Sequence, residues 1–206
     1  QKRLSETGLS EFEQAIKLLK TTMESKKLDS AESAGLLEII TKYSETWLLL
    51  QKYDENKILA PKKKSKARVK IDYNEAKTAI TDLKKSLIVK KQSVNLFGQE
   101  RDKMFAGIIA NLYQTFGGKE LYPSIEDKAA HLLYFIIKDH PFVDGNKRIA
   151  SLIFLVFLKK NNYDVNKQGE YKFNSNALVA LALLIAESKP EQKEVMVKLI
   201  MNFLSN

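Results

Sequence analysis

Apolar residues recur at helical spacing along almost the whole chain. Over residues 7–25, Leu9, Phe12, Ile16, Leu19 and Met23 fall on one side of a helix with charged residues between them. A longer set, Leu36, Leu37, Ile39, Ile40, Tyr43, Trp47, Leu48 and Leu50, predicts a second helix that starts at an Asp29 or Ser30 cap and ends near Lys57. The two would pack as a helical hairpin over residues 1–60, either a separate module or an extension docked on the later helices. Ala60 and Pro61 stop the pattern. Lys62, Lys63, Lys64, Lys66, Arg68 and Lys70 then fall in a stretch with little to bury, so residues 61–72 read as a basic linker or exposed loop.

Periodicity resumes with Tyr73, Ala76, Ile80, Leu83 and Leu87, and residues 93–98 break it. Residues 99–116 predict another amphipathic helix, with Met104, Phe105, Ile108, Ile109, Leu112, Tyr113 and Phe116 on its apolar side and Gly117 and Gly118 ending it. The stretch from Gly117 to Pro123 predicts a short turn or hairpin. Ser124 with Asp127 three residues later resembles a capping box for a helix over residues 125–139, which would bury Leu132, Leu133, Phe135, Ile136 and Ile137. Residues 149–158 are apolar on every side apart from Ser151, the pattern of a central, buried helix. Residues 161–173 are polar and turn-like, with room for one small strand. Closing helices are expected over residues 175–187 and 191–204, with Pro190 placed to start the last one. No repeat, heptad run or sheet competes. The fold class is therefore all-α, with one domain over residues 73–206 behind the linker.

Composition narrows the function more than the fold. A chain of 206 residues that is 44% hydrophobic and 29% charged can bury one substantial core or two small ones. Without cysteine there is no disulfide or thiolate metal site, and with two histidines there is no histidine-rich one. The net charge of +9 points toward nucleic acid or acidic partners, but much of it sits in the basic linker. No aromatic residue interleaves that run, so a solvated connector is preferred to a nucleic-acid patch. The longest apolar run is too short to span a bilayer and the amino terminus has no signal pattern, so no membrane is implied and a cytoplasmic location is expected. The chain begins at Gln1 and its first methionine is Met23, the look of a fragment or processed product.

Candidate chemistry concentrates in residues 140–148, which read His-Pro-Phe-Val-Asp-Gly-Asn-Lys-Arg directly before the apolar segment. If Asn146 begins that helix, its first N–H groups point back toward Gly145 and form an anion site. Gly145 lets the backbone turn sharply beside a ligand. Arg148 would grip phosphate oxygens with its planar fork, and Asp144 is a hard carboxylate suited to a Mg²⁺ shared with phosphates. His140 is the one side chain of the loop whose ordinary pKa lies near neutrality, hence the natural general base for a hydroxyl. Phe142 and Val143 would anchor the loop. Each residue alone has an ordinary account as turn, surface charge or loop histidine; their order before a buried helix is what singles them out. His131, among Ala130, Leu132 and Leu133, reads as structural. Gly118-Lys119 is followed by Glu120 and lacks a partner glycine at the Walker spacing, so it is no P-loop.

The stretch resembles the signature of the Fic/Doc family, His-x-Phe-x-Asp/Glu-Gly-Asn-Gly-Arg-x-x-Arg, and residues 97–157 resemble the family's domain throughout. The phrase from Leu132 to Arg148 is also similar to the Fic-type carboxy-terminal part of RhuM-like virulence proteins. The resemblance implies a helical bundle with a short β-hairpin flap before the motif helix, and transfer of part of ATP, usually AMP, to a Ser, Thr or Tyr hydroxyl of a target protein. It implies His140 as base, Asp144 as Mg²⁺ ligand, and Gly145, Asn146, Lys147 and Arg148 around the phosphates. Lys119, Glu120, Leu121 and Tyr122 would form the flap that docks the target. Two departures matter. Lys147 stands where the usual motif has its second glycine, and Ser151 stands where it has its second arginine. The Doc branch, the toxin of a toxin–antitoxin pair, also has Asn-Lys-Arg and phosphorylates proteins, which favours phosphoryl over AMP transfer here, although Doc has alanine where this chain has Gly145. Some members of the family act instead on phosphocholine donors. The family's inhibitory Ser/Thr-x-x-x-Glu-Gly/Asn helix has no clean copy, since Phe12 follows residues 7–11 and Thr46 follows residues 41–45. Restraint, if any, would then come from an antitoxin-like or regulatory partner or from a part upstream of Gln1. The alternative of another class is a non-catalytic domain that binds nucleic acid or protein.

Overall fold

The computed structural model describes Gly35, Pro61, residues 65–90 and residues 95–205. The helical hairpin expected over residues 1–60 and the lysines at 62–64 lie outside the described residues, Gly35 apart. The described chain is all-α save for one small hairpin: α1 (Tyr73–Val89), α2 (Met104–Asn111), β1 (Thr115–Phe116), β2 (Lys119–Glu120), α3 (Ile125–Lys138), α4 (Asn146–Lys160), α5 (Ser175–Glu187) and α6 (Lys193–Ser205). Packing divides it into two compact units. One is Lys64–Gly169; the described residues from Glu170 onward belong to the other, a division within the span expected as a single domain over residues 73–206.

In the first unit the helices form where local chemistry starts them. Asp72 caps α1, its side chain accepting from the amides of Asn74 and Glu75. Ser124 and Asp127 make the expected capping box on α3, the Asp127 amide donating to Ser124 Oγ at 3.0 Å and the Ser124 amide to Asp127 Oδ2 at 3.3 Å. The core is built from the facing stripes of these helices: Ala76 and Ile80 of α1, Phe105 and Ile108 of α2, Leu132, Leu133, Ile136 and Ile137 of α3, and Ile149, Ile153, Phe154 and Phe157 of α4. Helices α3 and α4 pack most extensively on each other. α4 is not buried on all sides as its composition predicts, for Leu155 is 38% exposed and Leu152, Val156 and Ser151 are half-buried. Three apolar positions on its outer side therefore mimic a central helix.

The helix expected over residues 99–116 is shorter. Its first residues spend their backbone on a different partner: the Arg101 amide donates to the Pro141 carbonyl at 2.8 Å and the Gln99 carbonyl accepts from the Val143 amide at 2.9 Å. Asp102 and Lys103 then turn through left-handed backbone before α2 begins. At its other end Thr115 and Phe116 leave the helix and pair with Glu120 and Lys119 across Gly117-Gly118, both at positive φ as a primed hairpin turn requires. Phe116, expected on the apolar side, is 87% exposed.

Residues 65–71 also differ from a free linker. The Ser65 amide donates to the Glu126 carboxylate, the Ile125 amide to the Ser65 carbonyl at 2.8 Å, the Arg68 and Val69 amides to Asn161 Oδ1 at 3.0 and 3.1 Å, and the Ile71 amide to the Tyr113 hydroxyl at 2.7 Å. With its backbone satisfied by side chains from residues far along the chain and Ile71 buried, this segment is a strap docked on the unit, while Lys66, Arg68 and Lys70 stay exposed. Buried Lys128 pins the hairpin to α3 by donating to Glu120 Oε2 at 2.7 Å and to the Tyr122 carbonyl.

In the second unit Asn174 caps α5 through the Ala177 amide, and Pro190 opens a 3₁₀ turn, Pro190–Gln192, that leads into α6. Phe173 lies 5.9 Å from Phe203, tying the two ends of this helix pair. Gly35 is helical and buried, and a Cβ there would lie 2.2 Å from the Asn176 carbonyl oxygen. Among the described residues no helix is long and apolar enough to cross a membrane.

Two tyrosines give the first unit an alkaline signature. The Tyr73 hydroxyl donates to Glu100 at 2.5 Å, and that bond, with burial, pushes its pKa from about 10 to about 12. Burial, and then its bond to Glu126, raises Tyr163 to about 12 as well. A phenol whose folded pKa is raised contributes stability that is complete below the unfolded pKa and lost as pH rises through the folded one. Melting temperature is therefore expected to fall between about pH 10 and pH 12, a fall that Tyr73→Phe with Tyr163→Phe should flatten in melts followed alongside tyrosinate absorbance.

Candidate functional site

The loop between α3 and α4 is shaped by its own residues and by a segment that the sequence places elsewhere. α3 ends at Asp139, whose amide closes on the Phe135 carbonyl at 2.8 Å, and His140 takes left-handed backbone at φ 49° that turns the chain outward. Pro141 and Phe142 then dive into the core; the Phe142 ring, fully buried, packs 5.1 Å from Phe105. Residues 97–101 run beside the loop, with Phe97 bridged to Asp144, Glu100 bridged to Phe142, and the Gly98 amide donating to the Asp144 carbonyl at 3.1 Å. Gly145 follows at φ 88° as the N-cap of α4, and the Ile149 amide returns to its carbonyl at 2.9 Å.

Glu100 anchors that neighbouring segment. It accepts from Tyr73, from the Ala106 amide at 3.1 Å and from Lys77 at 3.4 Å. Burial opposes its ionisation, but these donors together hold the carboxyl below its ordinary range.

His140, Val143, Asp144, Gly145, Asn146, Lys147 and Arg148 line one open pocket of about 260 Å³. His140, Lys147 and Arg148 are exposed to it and Asp144 is half-buried. The amides of the first turn of α4 have no partner within the helix, and they meet two cationic side chains at the positive end of the helix dipole. The arrangement suits an anion of several oxygens, with an imidazole and one carboxylate at its margin.

Not every expected residue takes its expected part. The Asn146 side chain clips the loop instead of facing a ligand: its Oδ1 accepts from the Phe142 amide at 2.9 Å and its Nδ2 donates to the Phe142 carbonyl at 2.8 Å. Toward the pocket it has its backbone amide to offer. Asn146→Ala should cost about 1–3 kcal/mol, the worth of one or two part-buried hydrogen bonds, read as a drop in chemical-denaturation midpoint with an unchanged slope. Ser151 closes on its own helix, Oγ donating to the Lys147 carbonyl at 3.0 Å, and brings no charge to the pocket. Lys119, Glu120, Leu121 and Tyr122 do not line the pocket. The hairpin precedes the first residue of α3 and His140 follows its last, so the two stand at opposite ends of a 14-residue helix about 21 Å long. Tyr122 stacks on His131, ring centroids 4.0 Å apart, which supports the structural reading of that histidine.

Sequence reasoning missed Phe97. Its ring is fully buried beneath the loop, and the Arg148 guanidinium carbon lies 5.0 Å from the ring centre. A Cβ on Gly145 would fall 2.3 Å from the ring. The one available signal was a Leu96-Phe97-Gly98 triplet inside the break over residues 93–98.

Among the described residues no group of three histidine, cysteine or acidic side chains would hold a metal by itself. Asp144 is the sole carboxylate lining the pocket, which fits a Mg²⁺ bound by one protein oxygen together with substrate phosphates.

Among known proteins, the Fic/DOC family profile matches residues 75–158, which include α1 from Glu75 onward, residues 97–101, the hairpin, the loop and most of α4. No curated protein and no solved structure matches the chain.

Proposed function

We propose that this chain is an ATP- and Mg²⁺-dependent transferase that modifies a Ser, Thr or Tyr hydroxyl of a target protein, with phosphoryl transfer favoured over AMP transfer, because residues 75–158 match the profile of the Fic/DOC family, which generally transfers groups onto proteins. The observation that carries the reading is the convergence in one pocket of His140, Asp144, the Gly145 turn, the α4 amides, Lys147 and Arg148. His140 accepts the proton of the acceptor hydroxyl as its oxygen attacks the γ-phosphorus, the bond from that phosphorus to the β–γ bridging oxygen breaks, and ADP leaves. Arg148, Lys147 and the first-turn amides hold the phosphate oxygens and meet the charge that spreads over them in the transition state. Asp144 would hold the Mg²⁺, which when bound neutralises phosphate charge.

Lys147 is the reason to favour the γ-phosphate. A side chain at this position, where the usual motif has glycine, brings bulk and charge to the seat of the β- and γ-phosphates, and the missing second arginine at Ser151 removes a ligand from the ordinary donor orientation. The target and any antitoxin-like partner would be recognised by surfaces outside the pocket.

ATP labelled separately at the α and γ positions, incubated with the chain, Mg²⁺ and cell lysate, separates the outcomes. Protein label from γ alone is expected. Label from α would make the chain an AMP transferase, and neither label with any nucleotide would count against both.

A further inference from the structure

We propose that Phe97 is a positioning residue of the pocket: its ring face holds the Arg148 guanidinium in place, so that the phosphate-gripping fork is ordered before a ligand arrives. The proposal rests on the reading of this pocket as a nucleotide-phosphate site and adds a residue that lies forty-odd positions upstream of the motif.

Three observations converge on it. The Arg148 guanidinium carbon sits 5.0 Å from the ring centre, within the range over which a cation is attracted to the negative face of an aromatic ring. The ring is 0% exposed although Arg148 itself is exposed, so its faces are closed to water by what packs on them, and a desolvated face binds a cation more strongly. The platform is also rigid. Phe97 is bridged to Asp144 through its backbone, Gly98 donates to the Asp144 carbonyl at 3.1 Å, and a Cβ on Gly98 would lie 2.8 Å from the Ile80 side chain, so the segment is wedged against α1.

The consequence is preorganisation. An arginine at a surface helix start samples many rotamers, and a ligand that needs its fork must select one of them. A ring that already holds the guanidinium beside the nest removes part of that cost. The same ring fills the space under Gly145, so one buried side chain sets both the backbone turn and the cation of the site.

The test keeps the shape of the ring and changes its face. Phe97 is replaced in the full chain by mono-, tri- and pentafluorophenylalanine, which progressively remove the negative potential of the ring, and binding of ATP and of inorganic pyrophosphate with Mg²⁺ is measured by calorimetry beside a thermal melt of each variant. Affinity is expected to fall stepwise, by about twofold to fivefold at the pentafluoro end, and the series is expected to be flat in an Arg148→Ala background. A flat series with Arg148 intact overturns the proposal, as does a slope that survives Arg148→Ala. If the natural chain binds neither probe, the nucleotide reading fails on its own. The Arg148 Nε–H resonance then decides the inference: a ring-current shift that disappears in Phe97→Leu supports it, and an unshifted resonance in the natural chain overturns it.

Discussion

Gly145→Ala is expected to destabilise the Lys64–Gly169 unit by about 2–5 kcal/mol and to weaken any binding of phosphate-bearing ligands to the pocket. Two separate costs add. At φ 88° the backbone lies where an L side chain meets its own carbonyl, a penalty on the order of 1–2 kcal/mol. The new methyl would also sit 2.3 Å from the Phe97 ring, far inside contact distance, and the ring cannot easily yield because it is fully buried and its backbone is bridged to Asp144. Overpacking of this kind costs about 1–3 kcal/mol. The loop responds as a unit, since Gly145 supplies the carbonyl that receives Ile149 and the turn that presents the α4 amides. Thermal melts should show a drop of at least about 10 °C. The double variant with Phe97→Leu relieves the overlap but not the dihedral strain, so its melting temperature should fall between those of Gly145→Ala and the natural chain. A single variant that melts with the natural protein would show that the loop has room to shift.

The second large effect is chemical. His140→Asn is expected to slow label transfer by about 10²- to 10⁴-fold, the usual contribution of a positioned general base. Its structural cost should be small, because the side chain is exposed and asparagine tolerates the left-handed backbone that His140 adopts at φ 49°. On the proposed reading donor binding rests on Lys147, Arg148 and the helix amides, so the affinity for ATP should stay within about twofold while the rate collapses, a split that single-turnover labelling beside calorimetry reads directly. A variant that keeps its rate would remove His140 from the mechanism. Paired with Gly145→Ala, it separates a group that reacts from a turn that builds the site.

Much of the molecule is legible in its order of residues because the relevant interactions are local. Helices α1, α3, α5 and α6 follow from spaced apolar residues and short-range caps, such as the Ser124–Asp127 box and the Asn174 cap. The pocket is legible for the same reason: its lining is drawn from one short loop and the first turn of one helix, so no distant partner is needed to bring them together. The misreadings occur where a residue's partner is far along the chain. Residues 99–101 look helical until the motif loop claims their backbone groups, and residues 65–71 look like a linker until Glu126, Asn161 and Tyr113 satisfy their amides across as many as 93 positions.

By itself, then, the order of residues determined the all-α class and a contiguous loop carrying a histidine, a carboxylate, a glycine turn and two cations at a helix start, because periodicity, capping and helix-end electrostatics act within a few residues. Only the tertiary structure decided that residues 97–101 run beside the loop and that Phe97 lies beneath Gly145 and Arg148. Those outcomes depend on which distant segment fills the space beside the loop. Close packing and the need to satisfy buried backbone groups set that choice only once the whole unit has folded.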